Sequence, residues 1–246
     1  MQAFFVIALI VSVIVAVVVG ISWINQKRLE GMAVIAKELG LRFYPKGDNS
    51  LFPLLDPLEF FAYGQHQRVQ NLIKGVIQRS GHHLTIAIFD YYYTVGNYNT
   101  LQSDDESKTF GQTVLLIYDD SLQIPNFSLR PEHLFDKVGH FFGYEDINFV
   151  DFPNFSRNYR LQGKSEAGVR SLFQANLLKF YEKRKICTEA QGTHVLIFPA
   201  GDHRNSQSVY VEKDKTFTQS RLLPPEEIKA FLDTGLRLVS LLRQNS

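Results

Sequence analysis

Cys187, His194 and His203 are the residues whose types come nearest to a catalytic set. A cysteine nucleophile needs an adjacent base, and that base needs a third group to orient it. Cys187 and His194 flank a glycine turn in "ICTEAQGTHVLIF", so a tight hairpin would let them approach. No orienting group is apparent, and a lone cysteine in such a β ladder reads as a small buried apolar residue. His82 and His83, with His66 upstream, suggest a metal site. Adjacent strand residues point to opposite faces, however, so the pair cannot readily hold one ion. Asp104, Asp105 and Glu106 lack the glycine and alternating oxygens of a calcium loop and read as a solvated loop. "FDYYYTVG" is either a stacking platform for planar ligands or ordinary sheet packing, with Tyr92 opposite Tyr91 and Tyr93. Phosphate-binding glycine loops and the common hydrolase and metalloprotease motifs are absent. No catalytic, metal or cofactor-binding residue is assigned, and no cofactor is implied.

Two places demand a physical explanation. Asp90 is the lone charge on the apolar run Leu84–Val95. In "DFPNFSRNYRLQG", strand alternation places Ser156, Asn158, Arg160 and Gln162 on one face and Phe155, Arg157, Tyr159 and Leu161 on the other. Arg160 is then solvated. Arg157 lies between two aromatics and must snorkel, stack or find a carboxylate, with Asp146 or Asp151 in reach. Asp90, Arg157 and Tyr159 are therefore the candidate functional or structural residues.

The elements that position them begin with "AFFVIALIVSVIVAVVVGISWI", uncharged from Ala3 to Ile24. About 20 apolar residues suffice to cross the hydrocarbon core as a helix. A signal peptide would have a basic start, a shorter apolar core and a small-residue cleavage site, none of which fits. Residues 1–26 thus read as a retained anchor in the bilayer through residues 3–24. Trp23, Lys27 and Arg28 mark the interface, and the basic flank places residues 27 onward in the cytoplasm.

After the anchor, "QKRLEGMAVIAKELG" begins as a helix of its own, with Gly40 as its C-cap. Next come a short strand at 41–44, helical turns near 50–62 and a hairpin across "RSGHH". The loop 97–108 precedes a strand, and an extended segment runs to Pro131 before a helix. Ser165 caps one long amphipathic helix. A hairpin turning at Gln191-Gly192, a short strand at "VYVEK" and a helix with Ile228, Phe231, Leu232, Val239 and Leu242 inward complete the chain. Similar strand–proline–helix junctions recur near Pro131 and Pro224. The expected fold is α+β: a transmembrane helix, then a soluble domain of antiparallel sheet and packed helices. Residues 27–150 and 151–246 form two halves of similar layout.

Composition bounds the function. The 246 residues are 45% hydrophobic and 21% charged, with a formal net charge of +1. That charge gives no bulk basic surface for nucleic acid. One cysteine excludes an intrachain disulfide.

"TFGQTVLLI", "LQIPNFSLRPE", "DINF" and "PNFSRNYRLQG", after an N-terminal span, resemble a group of uncharacterised bacterial single-span membrane proteins. The resemblance implies an inner (plasma) membrane location, with no reaction and no site residue attached. The leading reading is a membrane-anchored protein with a cytoplasmic, non-catalytic interaction or ligand-sensing domain and a protein partner. The alternative is a hydrolase at the cytoplasmic face, which needs Asp90, Arg157 and a histidine to converge in one pocket.

Overall fold

The structure, a computed structural model, describes residues 2–62, 64–95, 108–131, 144, 146–200, 207–211 and 216–246. Residues 97–107 of the expected loop 97–108, the helix after Pro131 and His203 lie outside the described residues.

Helix α1 runs unbroken from Gln2 to Glu38, 37 residues or roughly 55 Å. Its first two thirds are one helix long and apolar enough to cross a membrane. The same helix then buries Met32, Ile35 and Ala36 in the soluble core. It ends where Gly40, at φ 68°, turns the chain and the Leu41 amide donates to the Ala36 carbonyl.

The soluble part is α+β, as expected. Its strands are β1 (Arg42–Tyr44), β2 (Gln65–Arg79), β3 (His82–Val95), β4 (Lys108–Tyr118), β5 (Ile124–Pro131), β6 (Tyr159–Gly163), β7 (Ile186–Gly192), β8 (His194–Pro199), β9 (Gln207–Val211) and β10 (Thr216–Arg221). They form one sheet in the order β1-β2-β3-β4-β8-β7-β5-β6. Neighbours are antiparallel except β10, which pairs parallel with Lys108–Gln112 of β4, while Leu115–Tyr118 pair with β8. Strands from either side of residue 150 interleave, β5 lying between β7 and β6.

Strand alternation divides the core. One face carries Ile86, Ile88, Leu115, Ile117, Val195 and Ile197 against α1, α3 (Pro153–Asn158), α4 (Glu166–Leu172), α5 (Ala175–Glu182) and α6 (Ile228–Asn245). The other carries Phe89, Tyr91, Tyr93, Val114, Leu196, Phe198 and Cys187 beneath Leu51, Leu55, Leu58, Phe60 and Phe61. Four of these last five come from α2 (Phe52–Leu55) and two flanking 3₁₀ turns, and Leu58 from the short connection between them. A strand covered on both faces carries a continuous apolar run, which accounts for the pattern of Leu84–Val95.

Two expectations fail. Residues 153–158 form a helix, not a strand, with Pro153 in its first turn. The strand begins only at Tyr159. The single helix after Ser165 is two: Ser165 does cap α4, accepting from the Gly168 amide at 3.2 Å, but Phe173 and Gln174 leave helical geometry before α5. The break lets Phe173 stack on Tyr181 with centroids 5.9 Å apart.

Candidate functional site

The most elaborate polar arrangement joins the anchor helix to the sheet. Arg28 stands one helical turn past the end of the apolar run, on the side of α1 that meets β3 and β4. Its Nε donates to Asp90 Oδ2 at 2.7 Å and its Nη2 to Asp90 Oδ1 at 2.6 Å. Nη1 donates to the Leu223 carbonyl at 2.6 Å. Asp90 is fully buried and the Arg28 side chain is 13% exposed. A buried carboxylate is tolerable only when its lone pairs are occupied. Here Asn71 Nδ2 supplies a further bond to Oδ2 at 2.8 Å, and the Thr113 hydroxyl one to Oδ1 at 3.2 Å. Thr113 Oγ1 in turn accepts the Leu223 amide at 2.9 Å.

Each partner has a structural reason to be there. Thr113 is the residue opposite Asp90 in the β3–β4 ladder. Asn71 sits at a register shift in β2 with φ 50°, a bulge that re-aims its side chain across the strand. Leu223 precedes Pro224 and Pro225, and Pro225 packs on Gly31, where a Cβ would lie 2.7 Å from the proline Cγ. Lys229 of α6 pairs with Glu38 at the end of α1. The anchor is thus fixed to the domain by a bidentate ion pair, a glycine–proline contact and a second ion pair.

The other predicted residues fall elsewhere. Arg157 does not lie between aromatics; it is exposed on α3, at the β6 edge, five strands from Asp90. The helical turn at 153–158 is the reason, since it carries Arg157 away from the Phe155 side. Asp146 pairs instead with Arg160, at 3.2 Å, so Arg160 is partly buried rather than solvated. Tyr159 is buried, stacked on Phe155 at 5.6 Å, and its hydroxyl donates to the Arg184 carbonyl. Burial pushes its phenol up to about 12. It ties β6 to the segment that follows α5 and carries no reactive group outward. Asp90, Arg157 and a histidine do not converge. Trp23 and Lys27 are exposed, with Lys27 Nζ 3.7 Å from the indole centroid.

Cys187 is fully buried opposite Phe198, whereas His194 is opposite Gln191 at the far end of the same hairpin. Burial raises the thiol to about 12, the reverse of an activated nucleophile. Tyr91 and Tyr93 belong to the second core and Tyr92 to the opposite face, as alternation requires. No cluster of three or more metal-ligating side chains occurs among the described residues.

A second buried carboxylate was not foreseen from the sequence. Glu189, 3% exposed on β7, accepts the amides of Glu59 at 2.6 Å and Phe60 at 3.1 Å, capping the 3₁₀ turn Glu59–Ala62. Burial raises it to about 7 against the opposing pull of Arg130. The signal that exposed Asp90, a lone charge in an apolar strand, was present here too, in "ICTEAQG".

No protein-family model matches the chain, and no curated protein matches it. A solved structure does. It is the crystal structure of the mycobacterial trehalose monomycolate transport factor A, TtfA, with a TM-score of 0.51 at 13% identity. The match covers 88% of this chain and 92% of that one. The likeness is one of fold. It extends over nearly the whole of both chains, so the arrangement of helices and sheet is shared rather than a local motif.

Proposed function

We propose that this chain is a single-pass inner-membrane protein whose cytoplasmic domain is a non-catalytic binding module, held in a fixed pose for another membrane component. The observation that carries this reading is the buried Arg28–Asp90 pair on an unbroken helix. A module that only needs to be near a membrane can hang on a flexible linker. A module that presents one surface to a neighbour in the bilayer needs its orientation fixed, and this junction supplies that. The basic flank Lys27-Arg28 supports the cytoplasmic side, because orientation is set during insertion, before Arg28 finds Asp90. The neighbour of like fold is named a transport factor, which supports an accessory role in membrane transport. Its cargo is not carried over to this chain.

Crosslinking in native membranes, followed by recovery of the full chain, tests the proposal. A partner recovered with the wild type and lost on Arg28→Ala, with the protein still present in the membrane, is the expected result. Turnover of a substrate by the isolated protein, with no crosslinked partner, would overturn it.

A further inference from the structure

The junction also sets the height of the sheet. The apolar run ends at Ile24, four residues before Arg28, roughly 6 Å along the helix. β3 runs antiparallel to α1. Leu41, beyond the far end of α1, packs on Gly75, whose ladder partner is Ile86, while Arg28 meets Asp90. β3 therefore continues toward the membrane for five residues past Asp90, to Val95, roughly 16 Å at strand rise. Its partners there are in the first residues of β2: Gln65 faces Thr94 and Arg68 faces Tyr92. The headgroup layer adds only about 5–7 Å to each side of the hydrocarbon core. Laid straight along α1 the strand would pass the level of Ile24, so a span tilted within the ordinary range brings the strand ends to the headgroup layer rather than clear of it.

A second observation agrees. Ile21 is half-buried although Val17, Val18, Val19, Trp23 and Ile24 on the same helix are exposed. Ile21 stands seven residues, two helical turns, before Arg28 and so lies on the side of α1 that faces the sheet.

The side chains at this level suit a lipid surface. Arg68 is exposed, with its guanidinium carbon 4.9 Å from the Tyr92 ring centroid, and Lys27 lies over Trp23. Each pair joins an aromatic body, favoured at the interface, to a cation that can meet a phosphate. The sequence between Val95 and Lys108 holds Asp104, Asp105 and Glu106 and supplies no basic tract. Contact with individual phosphates fits better than attraction to diffuse anionic charge.

We propose that the edge formed by Gln65–Arg68 and Tyr92–Val95 is a second membrane contact, seated among phospholipid headgroups with Arg68 and Lys27 on their phosphates. This rests on the membrane-anchored reading. The test uses the full chain in phosphatidylcholine nanodiscs. A fluorophore is placed at Gln65→Cys or, at the far end of β2, at Gln78→Cys, and quenched by headgroup-spin-labelled phosphatidylcholine. Buried Cys187 stays unlabelled. Trp23, the single tryptophan, reports on the anchor through acyl-chain-brominated lipid. The expected result is several-fold stronger quenching at position 65 than at 78, reduced by Arg68→Glu. Equal quenching at 65 and 78, with Trp23 quenched, overturns the second contact and leaves the anchor standing. An unquenched Trp23 removes the anchor and this contact together. Quenching at 65 unaltered by Arg68→Glu overturns the phosphate role of Arg68.

Discussion

Removing one partner of the Arg28–Asp90 pair strands the other charge, Asp90 fully buried or Arg28 largely so. Arg28→Ala or Asp90→Leu should each cost about 3–5 kcal/mol, measured by chemical unfolding of the full chain in detergent. The double substitution Arg28→Met with Asp90→Leu should recover much of that loss, though Asn71 and the Leu223 carbonyl would lose their partners. Full additivity of the two single losses would show that the residues act separately. Glu189 gives a prediction of opposite character. Its carboxyl is raised from 4.5 to about 7 by burial, so the folded state binds the proton more tightly than the unfolded. Stability from this group is therefore fully present below the unfolded value and is lost as pH rises from 4.5 through 7. The loss is about 3 kcal/mol. Glu189→Gln should flatten that part of the stability–pH curve, and an unchanged slope would count against the assignment. At this scale the sequence was half legible. A lone charge in an apolar strand pointed to Asp90, and the membrane flank pointed to Arg28. Their pairing was not visible, because they stand 62 positions apart with a bulge at Asn71 between them. Arg157 was misplaced for a simpler reason: Phe152, Phe155 and Tyr159 recur at helical spacing, and the alternation of a short segment hid it.

Elements announced by caps and turn residues were readable. Gly40 ended α1, Ser165 began α4, and Gly192, at φ 58°, turned the β7–β8 hairpin. Elements set by tertiary contacts were not. The break between α4 and α5 carries no proline or glycine; packing of Phe173 against Tyr181 and Phe127 decides it. β10, "TFTQSR", lacks an apolar pattern and became a strand by pairing with β4. The continuity of α1 was hidden for another reason, since an anchor and a core helix have different hydropathy and read as separate elements. Its consequence is testable at Gly31. A Cβ there would lie 2.7 and 2.8 Å from Pro225 side-chain atoms. Gly31→Val should cost about 1–3 kcal/mol by overpacking, seen as a lower melting temperature, despite the better helix propensity of any side chain over glycine. Gly20, with nothing within 4 Å of its added Cβ, is the control, and Gly20→Ala should leave the melting temperature alone.

On the proposed reading the whole molecule is a lever whose arm, a helix long and apolar enough to cross the bilayer, is fixed to a ten-stranded sheet. Sidedness comes first. Val150→Cys places a thiol at a 93% exposed site, while Cys187 stays buried, so an impermeant maleimide should label it only after the inner face is opened. Labelling of intact cells would reverse the orientation. The fixed pose is tested by changing the arm and leaving the base intact. Alanines inserted between Asn25 and Gln26 keep the helix continuous. They leave Arg28, Gly31 and the buried face of α1 in register with the sheet, so the domain folds as before. Two inserted residues turn the span about 200° relative to the domain and shift it about 3 Å. Seven turn it about 20° short of two full revolutions but lift the domain about 10 Å from the membrane. If the partner reads the rotational pose, the first insertion should abolish crosslinking and the second should preserve part of it. If contact with the headgroups is what matters, the order reverses, because only the longer insertion lifts the sheet edge clear. Equal yields from both insertions and the wild type would mean that the helix is a tether and nothing more, leaving the buried ion pair as a feature of stability alone.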